Sequence, residues 1–252
     1  MPAIEKGLSV TRRLGLLGAS ITQHPEFEAL LDYINRPEYD DVRVSMSSVR
    51  TNTVNAKLAE TLVKHDSKSI TIAIESGSQR VRNIVNKKLE TDEIAAAAQA
   101  AKAGGLKALK LYGMAGVPGE AQEDLVETAE LMIELKKRVP GIRLTLGCST
   151  FVPKAHTPFQ WYGVNKQAEK RLKFLQKQLR PKGIEFRPES YSWSVIQALI
   201  SRGDRRLADL LELTRSYGDT LGSYRRAFKA LKGKLPPLDF YVYEEWPRAQ
   251  VL

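Results

Sequence analysis

The sequence is poor in cysteine and histidine: its 252 residues include one Cys, at position 148, and three His. A lone Cys148 excludes an internal disulfide. By itself it holds neither a structural zinc nor an iron–sulfur cluster, each of which needs about four ligands. Long apolar runs are missing as well. No stretch approaches the roughly 20 consecutive apolar residues of a membrane span, and the opening MPAIEK is not followed by the apolar core of a signal peptide. The expectation is a soluble, cytoplasmic chain with no membrane partner and no redox centre of its own.

What is present suits a globular protein, with 42% apolar, 27% charged and 8% aromatic residues, enough for at least one sizeable core. The net charge of +10 is concentrated. Residues 166–234 hold 17 Lys and Arg against 7 Asp and Glu, so the rest of the chain, with 22 of each, is neutral. A basic segment of this kind serves either as a solvated helical surface or as a face for a polyanion such as nucleic acid.

Five short runs read as strands: 13–19 (RLGLLGA), 42–46 (VRVSM), 69–75 (SITIAIE), 107–114 (KALKLYGM) and 143–152 (RLTLGCSTFV). The markers Leu14, Arg43, Thr71, Leu109 and Thr145 are separated by 29, 28, 38 and 36 residues, the length of a βαβ unit. Between them lie helical patterns. In 123–139, Leu125, Ala129, Met132, Ile133 and Leu135 form one apolar face before Pro140-Gly141, and an alanine-rich helix over 94–103 stops at Gly104-Gly105. Alternating elements with near-continuous apolar strands argue for a parallel sheet covered by helices. After Val152 the pattern changes to a loop with Pro153, Pro158, Phe159, Trp161 and Tyr162. A basic helix over 166–180, a short strand over 184–187, helices near 195–201, 205–214 and 224–231, and an aromatic stretch over 240–246 follow.

In parallel α/β folds, ligands collect at the C-terminal ends of strands. Here those positions carry Gly18-Ala19-Ser20, then Ser45, Ser47, Ser48 and Arg50, then Glu75-Ser76-Gly77-Ser78, then Gly113, Gly116, Pro118, Gly119 and Glu120. Small and hydroxyl residues allow close backbone approach and hydrogen bonds to a ribose or carboxylate. Each turn also has a plain structural reading. Ser76–Ser78 suits a helix N-cap, 116–120 suits a tight strand-to-helix turn with Glu120 near a helix N-terminus, and Arg50 suits a surface cation. Repetition of this decoration over four strands favours a ligand without naming it.

The motifs ESGSQRVRNIVNKK (75–88), Ala103-Gly104, LYGMAGVPGE (111–120) and Asp124 resemble the fourth and fifth strands of radical S-adenosylmethionine (radical SAM) enzymes of the Elp3, methylthiotransferase and nitrogenase-cofactor-maturase type. With SMSSVRTNTV (45–54) and FVPKAHTPFQW (151–161), the resemblance runs serially over about residues 13–162. The TPFQW ending and WSVIQALISRGDRRL (193–207) are similar to a subgroup of bacterial radical SAM proteins often fused to a cobalamin-binding-like domain. The resemblance implies an α/β fold: a partial (β/α) parallel barrel lacking its first strand over 1–163, then a basic, mainly helical extension over 164–252.

The resemblance also implies roles. Gly18-Ala19 falls at the contact to the methionine amine, where the family's acidic residue is absent. Ser47 and Arg50 fall at the methionine carboxylate, and Glu75, Ser76 and Ser78 at the ribose. Gly116 and Val117 lie beside the adenine with Glu120 packing the turn, and Phe151 and Val152 add to the adenine wall. His156 and Phe159-Gln160-Trp161 would close the substrate side, although His156 reads first as an ordinary loop histidine and only second as a catalytic acid. The family holds a 4Fe-4S cluster on a CxxxCxxC loop that this sequence does not contain, and Cys148 reads as core. The expectation is a fragment whose full-length parent carries the cluster and S-adenosylmethionine and acts on a substrate the sequence does not name. Its partner would then be the missing N-terminal part of the same protein. Two other functions remain open: a cluster-less barrel binding RNA through Lys166, Lys170, Lys173, Lys177 and Arg180, and a TIM-type aldolase or isomerase using Glu75 and Lys110.

Overall fold

The structure, a computed structural model, describes residues 2–18 and 20–247. It is a mixed α/β protein. The strands are β1 (Arg13–Leu16), β2 (Arg43–Met46), β3 (Ser69–Glu75), β4 (Ala108–Ala115), β5 (Arg143–Thr150) and β6 (Glu185–Pro188). Helices α1 (Pro2–Leu8), α2 (Phe27–Ile34), α3 (Ala56–Lys64), α4 (Gln79–Ile84), α5 (Thr91–Ala103), α6 (Gln122–Arg138) and α7 (Ala168–Leu179) are interleaved with them. After β6 come α8 (Tyr191–Arg202), α9 (Ala208–Ser216), α10 (Leu221–Ala230) and α11 (Leu238–Val242).

The strands form two sheets, β1-β2 and β3-β4-β5-β6. Both β1/β2 and β3/β4 are parallel. Arg143 N–H donates to Lys107 C=O and Phe151 N–H to Ala115 C=O, a constant offset along β4 and β5 that parallel strands require. The expected run of five strands is thus present and parallel but not continuous. Only an isolated parallel bridge, Val49↔Ile72, links the segment after β2 to β3. The first strand also ends at Leu16 rather than 19. Among the described residues no helix is long and apolar enough to cross a membrane.

The chain divides into two compact units: Met1–Gly113, Ala121–Gly147 and Leu175–Arg187 in the first, and Met114–Glu120, Cys148–Phe174 and Pro188–Leu252 in the second. In the first unit Ile70, Ile72 and Ile74 of β3, Leu109 and Leu111 of β4, and Leu144 and Leu146 of β5 are buried. Each contributes about 1.5–3 kcal/mol by leaving water. On the helices Leu58, Leu62, Ile94, Ala98, Leu125 and Met132 are buried too, with α5 packing against α3 and α6. In the second unit Val152, Val164, Ala198, Leu199, Leu207, Leu210, Ala227, Leu231, Tyr241 and Val242 form one hydrophobic cluster.

Candidate functional site

A parallel sheet is ordinarily covered on both faces. In the first unit one face is less buried than the other. Along β3, Ile70, Ile72 and Ile74 are buried, whereas Ser69, Thr71, Ala73 and Glu75 are half-buried. Register pairs Thr71 with Lys110 and Ala73 with Tyr112, and residues paired in parallel strands share a face. Lys110 is half-buried and Tyr112 is 51% exposed. Gly147 on β5 makes room for the Tyr112 ring, since a Cβ there would stand 2.9 Å from Tyr112 Cε1. Neither the Lys110 ammonium nor the Tyr112 hydroxyl has a partner among the described residues.

The segment after β2 joins this face. Val49 N–H donates to Thr71 C=O at 2.9 Å, and Val49 is buried like its bridge partner Ile72. Alternation then places Arg50 on the side of Ala73 and Tyr112. Arg50 is exposed and has no ion-pair partner among the described residues. By the same alternation Ser47 and Thr51 lie on the side of Val49; Ser47 Oγ and Thr51 Oγ1 are buried without hydrogen-bond partners, and Thr51 is only 4% exposed. Orphaned buried hydroxyls are uncommon and call for an explanation such as an absent ligand or water. Gly18 is exposed in the loop after β1 and lines a cavity of about 410 Å³ with Ile4, Ser20, His24, Phe27 and Leu30. Ala19 lies outside the described residues.

Glu75 ends β3 in the left-handed region, φ 64°, at an irregularity in the β3/β4 register. A non-glycine residue there costs of order 1 kcal/mol or more and persists only where its surroundings fix it. Those surroundings are specific. Arg82 is fully buried, and all five of its N–H donors are used: Nε to Leu89 C=O (2.8 Å), Nη1 to the carbonyls of Ser76 (2.8 Å) and Gly77 (3.0 Å), Nη2 to Gln79 Oε1 (2.7 Å) and Thr91 Oγ1 (2.6 Å). From α6, Thr128 Oγ1 accepts from Gly77 N–H at 3.0 Å. A Cβ on Gly77 would stand 2.3 Å from Thr128 Cα, so only glycine fits. The Glu75 carboxylate meets Lys87 Nζ at 2.9 Å.

The same network occupies two predicted ligand contacts. Ser76 Oγ lies 3.2 Å from Thr128 Oγ1 and accepts from Ser78 N–H, while Ser78 Oγ donates to Asp124 Oδ1 at 2.7 Å. Both serines are buried. Asp124 further accepts from Ala121 N–H (2.6 Å) and is paired with Arg80. Burial pushes its carboxyl up, but Arg80, the Ala121 N–H and the Ser78 hydroxyl outweigh this and hold it below the usual carboxylate range.

In the second unit the remaining predicted residues are engaged by their own packing. Gly116 has φ 84°, and a Cβ there would meet Ala168 Cβ at 2.9 Å and Asn165 Cβ at 3.1 Å. Its N–H donates to Glu120 Oε2 at 2.7 Å, and Arg171 Nη1 donates to the same oxygen at 2.5 Å and to Glu120 C=O at 2.9 Å. Val117 is buried, Val152 belongs to the hydrophobic cluster, and Phe151 meets Phe159 edge-on at 5.5 Å. His156 is exposed with φ 60°, its N–H donating to Gln160 Oε1 at 3.0 Å. Of the basic stripe, Lys166 meets Asp239 at 3.6 Å and Lys173 meets Glu169 at 2.8 Å.

Sequence reasoning missed Arg82 and Tyr112. The first reads as one more cation on an amphipathic helix. The second was visible only as part of an apolar strand, although a large aromatic paired with a glycine on the next strand is a usable signal. Cys148 is 2% exposed, and burial raises its thiol pKa, away from the thiolate that ligates metals. No group of three or more His, Cys, Asp or Glu among the described residues is arranged to hold a metal. These residues do not fit a four-iron cluster. Arg50, exposed and without an ion-pair partner among the described residues, does fit a small carboxylate.

Comparison with known proteins matches residues 4–132 to the radical SAM superfamily. The chain is 30% identical over 216 residues to the uncharacterized protein MJ0966 of Methanocaldococcus jannaschii, covering 84% of this chain and 46% of that protein. It is 26% identical over 122 residues to MJ1620 of the same organism, covering 47% of this chain and 24% of that one. The chain therefore spans less than half the length of either relative. Among solved structures, coproporphyrinogen III oxidase (HemN) from Escherichia coli, described as a radical SAM enzyme, aligns at TM-score 0.42 with 15% identity, covering 82% of this chain and 46% of that one.

Proposed function

The chain belongs to the radical SAM superfamily, and from that premise we propose that the open face of its first unit contacts S-adenosylmethionine, within a protein that uses this cofactor to start radical chemistry on a substrate. The observation that carries the reading is Arg50, exposed and without an ion-pair partner among the described residues, on the same side of the sheet as Ala73 and Tyr112. An α-carboxylate docked there would accept two bonds from the Arg50 fork. Glu75, held in place by Lys87 and by the Arg82 network, would accept from ribose hydroxyls. Ser76 and Ser78 would shape this turn rather than touch the cofactor, because their hydroxyls are already engaged.

Superfamily chemistry requires a four-iron cluster, which delivers one electron to the sulfonium. The cysteines for it would have to come from outside these 252 residues, since Cys148 does not fit the role. The chain alone is therefore expected to bind the cofactor without cleaving it.

The test is a ligand-observed NMR titration of S-adenosylmethionine against the chain and its Arg50→Gln variant. Without the cluster anchor, Kd is expected on the order of millimolar. One charge-assisted contact of about 1.5–3 kcal/mol makes the variant at least about tenfold weaker. An unchanged Kd in Arg50→Gln would remove Arg50 from the site. No saturable binding by about 20 mM would remove the site itself.

A further inference from the structure

The second unit buries a cation that no carboxylate pairs with among the described residues, the Glu244 carboxylate acting on it only at longer range. Arg202, the last residue of α8, is 6% exposed. Its Nη1 and Nη2 donate to the carbonyls of Tyr241 and Glu244, both at 2.7 Å, and its Nε is buried with no acceptor. No carboxylate pairs with it among the described residues. Burial lowers its pKa to about 10, although arginine is otherwise always charged. A desolvated, half-satisfied guanidinium is unfavourable unless something further compensates it.

Arg202 lines a cavity of about 390 Å³ whose walls all come from this unit, among them His156, Gln160, Trp161, Arg206 and Trp246. The aromatic wall is built rather than incidental. Trp246 stacks on Phe240 at 5.1 Å with its Nε1 donating to Phe240 C=O, and the Arg202 guanidinium carbon sits 4.3 Å from the Trp246 ring centroid. Arg206 adds no net charge, because Asp204 takes its Nε and Nη2. The lining charge without an ion-pair partner is therefore that of Arg202, whose guanidinium lies over the Trp246 ring on which Phe240 also stacks. Gln160 has its Oε1 occupied by the His156 N–H, which leaves its amide as a donor.

We propose that this cavity binds a small planar aromatic molecule bearing one acidic group, with the ring against Trp161 and the acid meeting the Arg202 guanidinium. Its volume lies at the lower end of ligand sites, suiting a bicyclic ring with a short acidic arm. The inference is independent of the S-adenosylmethionine reading, since the two sites share no residue.

Calorimetric titration of the full chain with 2-naphthoate, its neutral isostere 2-naphthamide, and acetate separates ring from charge. The expected result is saturable binding of 2-naphthoate at least about tenfold tighter than the amide, with acetate weaker still. Trp161→Ala should weaken 2-naphthoate about tenfold while the circular dichroism spectrum and melting temperature stay the same. This variant matters because Arg202→Gln, by releasing Tyr241 and Glu244, also threatens the fold. Arg50→Gln should leave 2-naphthoate binding unchanged. Equal affinity for acid and amide, no binding by about 10 mM, or indifference to Trp161→Ala would each overturn the proposal.

Discussion

Replacing Arg82 with methionine keeps most of the side-chain volume and removes all five donors. Three backbone acceptors, the carbonyls of Ser76, Gly77 and Leu89, then lose this partner, and all three residues are buried. Gln79 and Thr91 lie nearer the surface and turn to water. An unsatisfied buried acceptor costs about 1–3 kcal/mol, so three cost about 3–9 kcal/mol. Relief of a buried cation offsets part of this. Burial does lower the Arg82 pKa, the mark of that unfavourable desolvation. The net expectation is a loss of about 3–5 kcal/mol, as for other broken buried networks. In urea, with m of about 2–3 kcal/mol/M, the midpoint falls by about 1–2.5 M. Arg82→Lys, which retains the charge and three donors, should fall between the two. A loss below about 1 kcal/mol with m unchanged would show that the network does not fix the turn.

Two further perturbations follow from the same geometry. Asp124→Asn places an amide donor against the Ala121 N–H or Arg80 and should destabilise by about 2–4 kcal/mol. Because the Asp124 pKa is depressed in the folded chain, its contribution is complete above the unfolded value near 3.9 and is lost as pH falls below it. Chemical denaturation at stepped pH should therefore show a flatter acid limb for the variant, and parallel limbs would contradict the assignment. Cys148, buried with a raised thiol pKa, should react with a disulfide reagent only after denaturant is added, and reaction of the native chain at the rate of a free thiol would refute its burial.

The strands were legible because their apolar runs are short, continuous and punctuated by turn residues. Residues 69–75 were delimited to the residue, and 107–114 to within one. The helix read over 123–139 is observed over Gln122–Arg138. The division into two sheets was not legible, since only tertiary placement leaves Val49↔Ile72 as a lone bridge. The candidate site shows the same limit. Hydroxyls at 76 and 78 look available in sequence, but their partners, Thr128 and Asp124, lie about fifty positions away on α6. Arg82 carries no local sign that it is buried, because its backbone acceptors come from both sides of α4, the carbonyls of Ser76 and Gly77 before it and of Leu89 after it. Arg50 was legible only as a residue that follows a strand; its lack of an ion-pair partner among the described residues is a tertiary fact.

The central claim is that the open face beside β3 is where S-adenosylmethionine binds. Hydrogen exchange with and without saturating S-adenosylmethionine tests it most directly, because amides report position as well as affinity. The account predicts slowed exchange at residues 47–53 and 75–79, with α9 and α10 unchanged. Protection confined to other segments, or none at a concentration that saturates the NMR titration, would contradict it.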